Sequence, residues 1–428
     1  MRNVYIVDGA RTPFLKAKNK GGPFSASDLA VQVGRELLER QSFSPKELNE
    51  VVIGCMMPSP DEANIARVIA LRLGCGKAVP AWTVQRNCAS GMQAIDSAVK
   101  DIACGRHDLV LAGGTEAMSR APLLFNQRMT DWFAGLATAK TWKEKLKSYT
   151  QFRLSYLKPI IAILRGLTDP IVNLNMGQTA ENLAYRFNIS RQAMDEFALE
   201  SHQRVMAAQE NKKLAEVLSS FADNGSFFVE DDGVRKDTTL EKLASLKPFF
   251  DKKFGSVTAG NSSQISDGAA LLLLASKEAV EKYRLPVLGR IVDVQWAGVD
   301  PAEMGLGPVY ATHKLLQKYN LQMNDIDYWE INEAFAAQVL GCLAAWESDD
   351  YCRANLGTEK ALGKIDRSKL NVDGGAIALG HPVGASGARI ALHLAEVLQR
   401  EDAQKGIATI CIGGGQGGAM LIERVSEV

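Results

Sequence analysis

Apolar residues recur along the chain in two rhythms, and their alternation sets out the expected elements. Val4-Tyr5-Ile6-Val7 predicts a first strand. Ser27 is a candidate cap for a helix that turns Leu29, Val33, Leu37 and Leu38 inward. Val51-Val52-Ile53-Gly54 predicts a second strand, and Ile65 to Leu73 a second helix. Ala81 to Val84 is β-leaning and leads to Cys88. Behind Cys88, the residues Met92, Ile95, Val99 and Ile102 follow at steps of 3, 4 and 3, with Gln93, Asp96, Lys100 and Asp101 opposite. Leu109-Val110-Leu111-Ala112 predicts a buried strand closed by Gly113-Gly114. Alternating strands and helices of this kind argue for a layered α/β core.

From about 119 to 247 strands thin out, and helices with polar loops take over. Ala180 to Phe187 and Ala193 to Asn211 read as helices, the second capped by Ser190; Asn224 to Asp237 is polar and turn-rich. The core resumes at Ala270-Leu271-Leu272-Leu273-Leu274, an apolar run suited to a buried central strand. The part from about 286 then echoes the first. Ser44-Pro45-Lys46-Glu47-Leu48 is matched by Gln322-Met323-Asn324-Asp325-Ile326, ahead of a strand from Tyr328 to Ile331. Ala89-Ser90-Gly91 is matched by Ala385-Ser386-Gly387, which opens a helix carrying Ile390, Leu394 and Val397. Leu109 to Gly114 is matched by Ile407 to Gly414. A duplicated α/β unit follows, with two halves packed face to face and a site between them. The expected division is 1–118 plus 248–285 for the first half, 119–247 for an insertion, and 286–428 for the second half.

With 428 residues, 46% of them hydrophobic, the chain can bury two or three core units. A formal net charge of +0 gives no general attraction for nucleic acid, so no nucleic-acid partner is expected. Seven cysteines form no C-x-x-C pair, which argues against a disulfide framework and for a reducing compartment. No apolar run is long enough to span a bilayer, Met1 leads into strand-like residues without a basic leader, and Val425-Ser426-Glu427-Val428 is not a peroxisomal signal. The cytoplasm is therefore the expected location. Histidines at 107, 202, 313, 381 and 393 have no metal-ligand spacing, so no metal is expected. Cys55, Cys75, Cys104, Cys342 and Cys352 read as apolar filler.

Four stretches can carry chemistry. Cys88 sits where a strand turns into a helix start, and free N–H groups and the helix dipole there are expected to lower its thiol pKa. Alone, it fits a small buried residue at a tight turn better, since buried cysteines are usually inert. Asn332-Glu333-Ala334-Phe335-Ala336 follows a strand. Gly374 to Gly384 is a glycine-rich loop holding His381. Cys411 precedes Ile412 and the run Gly413-Gly414-Gly415-Gln416-Gly417-Gly418. That run matches G-x-G-x-x-G formally, but Ala419 to Glu423 predicts a strand where a dinucleotide site needs a helix. A tight hairpin whose N–H groups approach a ligand is the better reading.

Together these stretches resemble the thiolases over nearly the whole chain. Asp8 to Phe14 resembles that family's opening strand and loop, Asn87 to Gly91 its nucleophile motif, and Gly113 to Ser119 the motif that follows. Met176 to Glu181, Thr258 to Ser263, Asn332 to Phe335, Gly380-His381-Pro382 and Cys411 to Gly415 complete the set. The resemblance implies an α/β thiolase fold, a five-layered α/β/α/β/α core with a helical loop-domain insertion. It implies Cys88 as acyl-accepting nucleophile, His381 as its proton acceptor, and Cys411 as the acid/base toward the α-carbon. One oxyanion hole would combine His381 with a water held by Asn332; the other would use the N–H groups of Cys88 and Gly413. Ser263, Ala259, Met176, Ala334 and Phe335 would line the pantetheine and acyl pocket. No cofactor would be permanently bound, since coenzyme A is a substrate.

The implied activity is thiolytic cleavage of 3-ketoacyl-CoA by CoA in fatty-acid β-oxidation. Its rivals are condensation of acetyl-CoA to acetoacetyl-CoA and, in another class, a non-catalytic lipid-binding or structural subunit. Two catalytic cysteines argue against the last. A homodimer or homotetramer is implied. Between 119 and 175 the chain is longer than in compact biosynthetic thiolases, and mixes Lys140, Lys143, Lys145 and Lys147 with Trp132, Trp142, Leu146 and Tyr149. This insert resembles the thiolase subunit of the β-oxidation trifunctional complex, which implies a hydratase/dehydrogenase subunit or a membrane surface as partner. That branch usually has histidine where this chain has Asn332.

Overall fold

The principal strands of the computed structural model, which describes residues 2–18 and 20–425, join into one ten-stranded mixed sheet, and two short two-stranded ladders lie in the 119–247 segment. In chain order they are β1 (Val4–Arg11), β2 (Glu50–Gly54), β3 (Ala81–Val84), β4 (Leu109–Ala117), β5 (Ser266–Ala275), β6 (Gly289–Gly298), β7 (Tyr328–Ile331), β8 (Lys405–Ile412) and β9 (Gln416–Glu423). Across the sheet they run β7-β8-β9-β6-β1-β5-β4-β2-β3, and a short strand, Leu15–Lys16, pairs with β5. Strand pairing between the two halves is confined to Val4–Ile6, which runs antiparallel to 289–291. In each half the outermost strand pairs in parallel: β3 with β2, and β7 with β8.

The principal helices are α1 (Ala26–Glu39), α2 (Ile65–Arg72), α3 (Ser90–Ala103), α4 (Gln127–Thr138), α5 (Trp142–Thr150), α6 (Ala162–Gly166), α7 (Met176–Arg186), α8 (Arg191–Glu210), α9 (Gly307–Tyr319), α10 (Ala336–Glu347) and α11 (Val383–Arg400). Strand alternation sorts the core into layers. Tyr5, Val7, Val51, Ile53, Leu109, Leu111, Leu271 and Leu273 face α1 and α2. Their neighbours Ile6, Val52, Val110 and Leu272 face α3 and α11, as do Ala408, Ile410, Met420 and Ile422 from the other half. Ile407 and Leu421 turn outward to α9 and α10. The order is therefore helix, half-sheet, paired central helices, half-sheet, helix: the expected five layers.

The echo between halves has a physical basis. Ser44 and Gln322 each close a capping box on a short 3-10 turn, with Glu47 and Asp325 reaching back. The two Ala-Ser-Gly copies lie where α3 and α11 cross. A Cβ on Gly91 would fall 2.8 Å from the Gly384 carbonyl, and one on Gly387 would fall 2.7 Å from the Met92 nitrogen. Only glycine permits this approach.

Three local expectations are corrected. The first helix is capped by Ser25, which forms a capping box with Asp28; Ser27 lies inside the helix. Gly113 and Gly114 do not close their strand, which continues to Ala117. A Cβ on Gly114 would sit 1.8 Å from the Gly384 oxygen, so this glycine serves packing against α11, while one on Gly113 would meet the Ala270 carbonyl of β5 at 2.2 Å. Cys104, read as filler, is exposed at the C-terminal cap of α3. Ser426, Glu427 and Val428 lie outside the described residues. No helix among the described residues is long and apolar enough to cross a membrane.

The 119–247 segment carries α4 to α8 and is tied to the core by buried charge. Arg11 of β1 donates to Asp231 at 2.7 Å and lies 3.5 Å from Glu216. His393 of α11 lies between Glu216 at 3.1 Å and Asp373 at 3.2 Å, and Arg400 reaches Asp373 at 2.7 Å. Burial pushes the Glu216 carboxyl up, but the charges of His393 and Arg11 hold it well below the usual range. Burial likewise pushes His393 down, while Glu216, Asp373 and Glu330 hold it well above the usual imidazole value.

A raised histidine stabilises fully below its unfolded pKa of about 6.5 and loses that stabilisation as pH rises through its folded value. A depressed carboxylate loses its contribution as pH falls below about 4. His393→Gln should cost about 3–5 kcal/mol near neutral pH, because it removes the buried cation that Glu216 and Asp373 share, leaving Glu216 with Arg11 alone and Asp373 with Arg400 alone. By calorimetry, the difference in Tm between wild type and variant should shrink as pH is raised from about 6 to about 9. A constant difference would show that His393 is not charged.

Candidate active site

Cys88 stands in the turn between β3 and α3. The preceding Asn87 takes a left-handed backbone (φ 42°) and donates from Nδ2 to the Gly413 carbonyl at 2.7 Å. Asparagine tolerates this conformation better than most residues. The Ser90 hydroxyl accepts from the Arg86 N–H at 2.9 Å and donates to the Asn87 carbonyl at 2.7 Å, closing the turn. The residue is partly exposed, yet burial of its sulfur raises the thiol pKa; the N–H groups of Gly413 and of Cys88 itself pull the other way. Burial wins. The expectation of a thiol lowered by the helix start is therefore reversed, because desolvation penalises the thiolate more than two amides favour it.

Such a thiol needs a base, and His381 is the candidate. It lies in the loop before α11, two residues from Val383, which packs against Cys88's apolar neighbours. Its Nδ1 is 2.6 Å from the Ser386 hydroxyl, and that hydroxyl donates to the Pro382 carbonyl at 3.0 Å. With its one proton committed, Ser386 accepts from Nδ1–H, which leaves the Nε2 lone pair bare. Nε2 is buried and has no partner. Burial, with the nearby Arg389 charge, pushes the His381 pKa down to about 3, so the resting ring is neutral.

Asn332 ends β7 and is fully buried, and neither atom of its amide has a partner. Three unpaired polar atoms, one on His381 and two on Asn332, are costly unless a ligand meets them. The next residue, Glu333, is an anchor. It accepts from Ser201 Oγ at 2.6 Å, Asn371 Nδ2 at 2.8 Å and the Ile377 N–H at 3.2 Å. It thereby fixes the His381 loop relative to Asn332.

Cys411 ends β8, fully buried beside Cys88: a charge on either sulfur would raise the pKa of the other, and burial raises Cys411 further. Gly413 to Gly415 then make the expected tight hairpin into β9, with Gly414 and Gly415 left-handed. A Cβ at Gly413 would meet Met176 Sδ at 3.2 Å, so Met176, at the start of α7, lies over this amide. Among the other pocket candidates, Ser263 donates its N–H to the Ala334 carbonyl at 3.0 Å, and Phe335 meets Phe250 edge-on at 5.7 Å. Ala259 is exposed, unlike buried Ala334 and Phe335.

Two further residues emerge only in three dimensions. One is Ser386. The other is Glu116, fully buried, which accepts from the Met56, Met57 and Gly384 N–H groups at 2.8, 3.0 and 3.1 Å. Burial pushes its carboxyl up to about 7 against these donors. Glu116 was visible only as part of the Gly113 to Ser119 motif. Among the described residues, the one His/acid group spaced for a metal is Glu50, Asp101 and His107, and it shares no residue with this site.

The groups present suit covalent acyl transfer: a partly exposed thiol met by two amides, a second thiol beside it, and a neutral imidazole with a free Nε2. Comparisons agree. Residues 4–278 match the thiolase N-terminal domain and residues 285–424 the thiolase C-terminal domain. A Bos taurus protein named trifunctional enzyme subunit beta, mitochondrial, is 36% identical over 99% of this chain and 88% of its own. A Yersinia enterocolitica 3-ketoacyl-CoA thiolase is 36% identical over 98% of this chain and 96% of its own. The crystal structure of the Bacillus anthracis acetyl-CoA acetyltransferase superposes with a TM-score of 0.85 at 39% identity, covering 99% of both chains. Human mitochondrial 3-ketoacyl-CoA thiolase in complex with CoA gives 0.83 at 36%, covering 99% of this chain and 98% of the other.

Because burial outweighs the helix start, alkylation of Cys88 by iodoacetamide in the free protein should show a pH midpoint above the ordinary thiol value of about 8.5. Peptide mass spectrometry across a pH series reads this directly. A midpoint near neutrality would mean that the amides and dipole prevail.

Proposed function

The chain belongs to the thiolase family, and we propose that its chemistry runs through Cys88 as acyl carrier, with His381, Cys411 and Asn332 in separate roles. Its activity is that of a 3-ketoacyl-CoA thiolase or acetyl-CoA acetyltransferase, with CoA and acyl-CoA as substrates. The observation that carries the residue assignment is the neutral Cys88 thiol facing the Gly413 amide, with Cys411 beside it.

In the cleaving direction the Cys88 proton passes to His381 Nε2 as sulfur attacks the 3-keto carbon. The C2–C3 bond breaks, and its electron pair goes to the acetyl-CoA enolate. Cys411 gives its proton to C2, and acetyl-CoA leaves. His381, now protonated, can donate to the enolate oxygen, with Asn332 beside it. Incoming CoA loses its thiol proton to the Cys411 thiolate and attacks the Cys88 thioester. The oxygen charge formed there is met by the N–H groups of Cys88 and Gly413. His381 then returns its proton to Cys88. Its low pKa makes that return favourable.

Thiolysis within β-oxidation is the physiological direction we favour. The similarity to the Bacillus anthracis acetyl-CoA acetyltransferase supports condensation as a second reading. Partners are part of the same proposal. Edge strand β3, with Trp82 outward, suits a homodimer or homotetramer. The helical pair α4 and α5 exposes Phe133, Trp142, Leu146 and Tyr149 among lysines, which suits a second subunit or a membrane surface. Likeness to the trifunctional enzyme subunit beta supports a hydratase/dehydrogenase subunit there. Seven free cysteines fit a reducing compartment such as the cytoplasm.

Cys88→Ala should abolish covalent acetyl-enzyme: no label from radiolabelled acetyl-CoA should stay on protein after denaturing gel filtration. Retained label would refute Cys88 as carrier. Cys411→Ser should keep acetyl-enzyme formation within about tenfold while carbon–carbon cleavage falls by about a thousandfold or more. Equal loss in both assays would remove Cys411 from its acid/base role.

A further inference from the structure

An acyl group carried on Cys88 must extend into apolar space, and Cys88 touches two apolar groups. One is the core between the half-sheets, where Met92, Ile95, Ile390 and Ile410 are fully buried around the central helices. A chain entering it would have to part α3 from α11. The other is a small satellite cluster of Met56, Met118 and Val383, with Met57 and Ile163 partly buried against it. The satellite lies beneath the insertion. Ile163 belongs to α6, and a Cβ on Gly166 of the same helix would lie 3.6 Å from Met56 Cε.

Three features make this cluster a receptor rather than a packed wall. Its side chains are mostly methionines, which are unbranched and re-form around a guest at small cost. Their backbone is nevertheless fixed, because Glu116 holds the Met56 and Met57 N–H groups. And α6 is a thin partition. Its Leu164 and the preceding Ile160 and Ile161 border an open groove of about 790 Å³, where Leu164 is 58% exposed.

We propose that the acyl chain of the substrate runs from Cys88 between the methionines and α6 toward this groove, and that α6 sets the chain length accepted. The substrate class this assigns is 3-ketoacyl-CoA of medium and long chain. The proposal rests on Cys88 as acyl carrier. Each methylene buried along the path should strengthen transition-state binding by about fourfold, so kcat/KM should climb with chain length until the path is filled.

The test is thiolysis of a ladder of 3-ketoacyl-CoA substrates from four to sixteen carbons. For the wild type, kcat/KM should rise beyond four carbons. Ile163→Trp should lower the ratio of kcat/KM on 3-ketodecanoyl-CoA to that on acetoacetyl-CoA at least tenfold. Met57→Trp, on the opposite wall, should do the same, and activity on acetoacetyl-CoA reports folding in both. A ratio unchanged in whichever variants remain active would overturn the proposal. So would a wild type that cleaves acetoacetyl-CoA but nothing longer, which would leave the thiolase reading intact. Absence of thiolysis with every substrate would overturn both.

Discussion

The close crossing of α3 and α11 is the constraint on which the site depends. Their backbones approach within the space of a missing Cβ at Gly91 and Gly387, and β4 meets α11 as closely where Gly114 lies against Gly384. That contact welds the inner faces of two half-sheets whose direct pairing covers only three residues of β1. It also brings the start of one helix, with Cys88, against the start of the other, with His381 and Ser386. A methyl group at any of these glycines would meet main-chain atoms. Unlike a flexible side chain, the main chain has nowhere to go, so the elements would part and the turn with Cys88 would shift away from the loop with His381.

That placement explains why the site is electrostatically quiet at rest. Burial by the two half-sheets raises Cys88 and Cys411 and lowers His381, so all three are neutral. Charge appears only when substrate supplies a carbonyl to take it up. The unpaired atoms of His381 and Asn332 are the cost of readiness: donors and acceptors kept dry and directed at positions where charge develops. The heavily paired groups lie one step back, on Glu116, Glu333 and Ser386, which hold backbone and ring in place without reacting.

Much of this was legible in the chain. Strand alternation, the helical spacing behind Cys88 and the order of repeated motifs gave the layers, because each is a local pattern answering to one buried face. What was not legible depended on distance in sequence. Glu116 meets Gly384 across 268 residues, and no periodicity announces such a contact. The glycines of β4 read as a strand end because their reasons for being glycine lie far along the chain, on β5 for Gly113 and on α11 for Gly114. The Cys88 thiol was misjudged for a related cause: the helix start is visible in sequence, but the burial that outweighs it is set by the whole fold. The first helix is capped at Ser25 and not at Ser27 for a smaller reason, since two serines two residues apart offer the same hydroxyl and only the chain's entry angle chooses.

The insertion divides labour with the core. Cys88, His381, Asn332, Cys411 and Gly413 all belong to the duplicated halves, on strand ends and helix starts that the sheet holds rigid. The 119–247 segment brings Met176 over Gly413 and Ile163 against the methionines beside Cys88. It is held by buried charge at Arg11, Glu216 and Asp231, so it is a fixed wall and not a pendant arm. Its outer face, with Trp142 and Leu154 strongly exposed, is free of that duty. An insertion anchored at one end by ions and resting on methionines at the other can change in length and surface while the reacting groups stay where they are. The site can therefore keep its own residues, Asn332 among them, whatever the length and surface of the insertion above it.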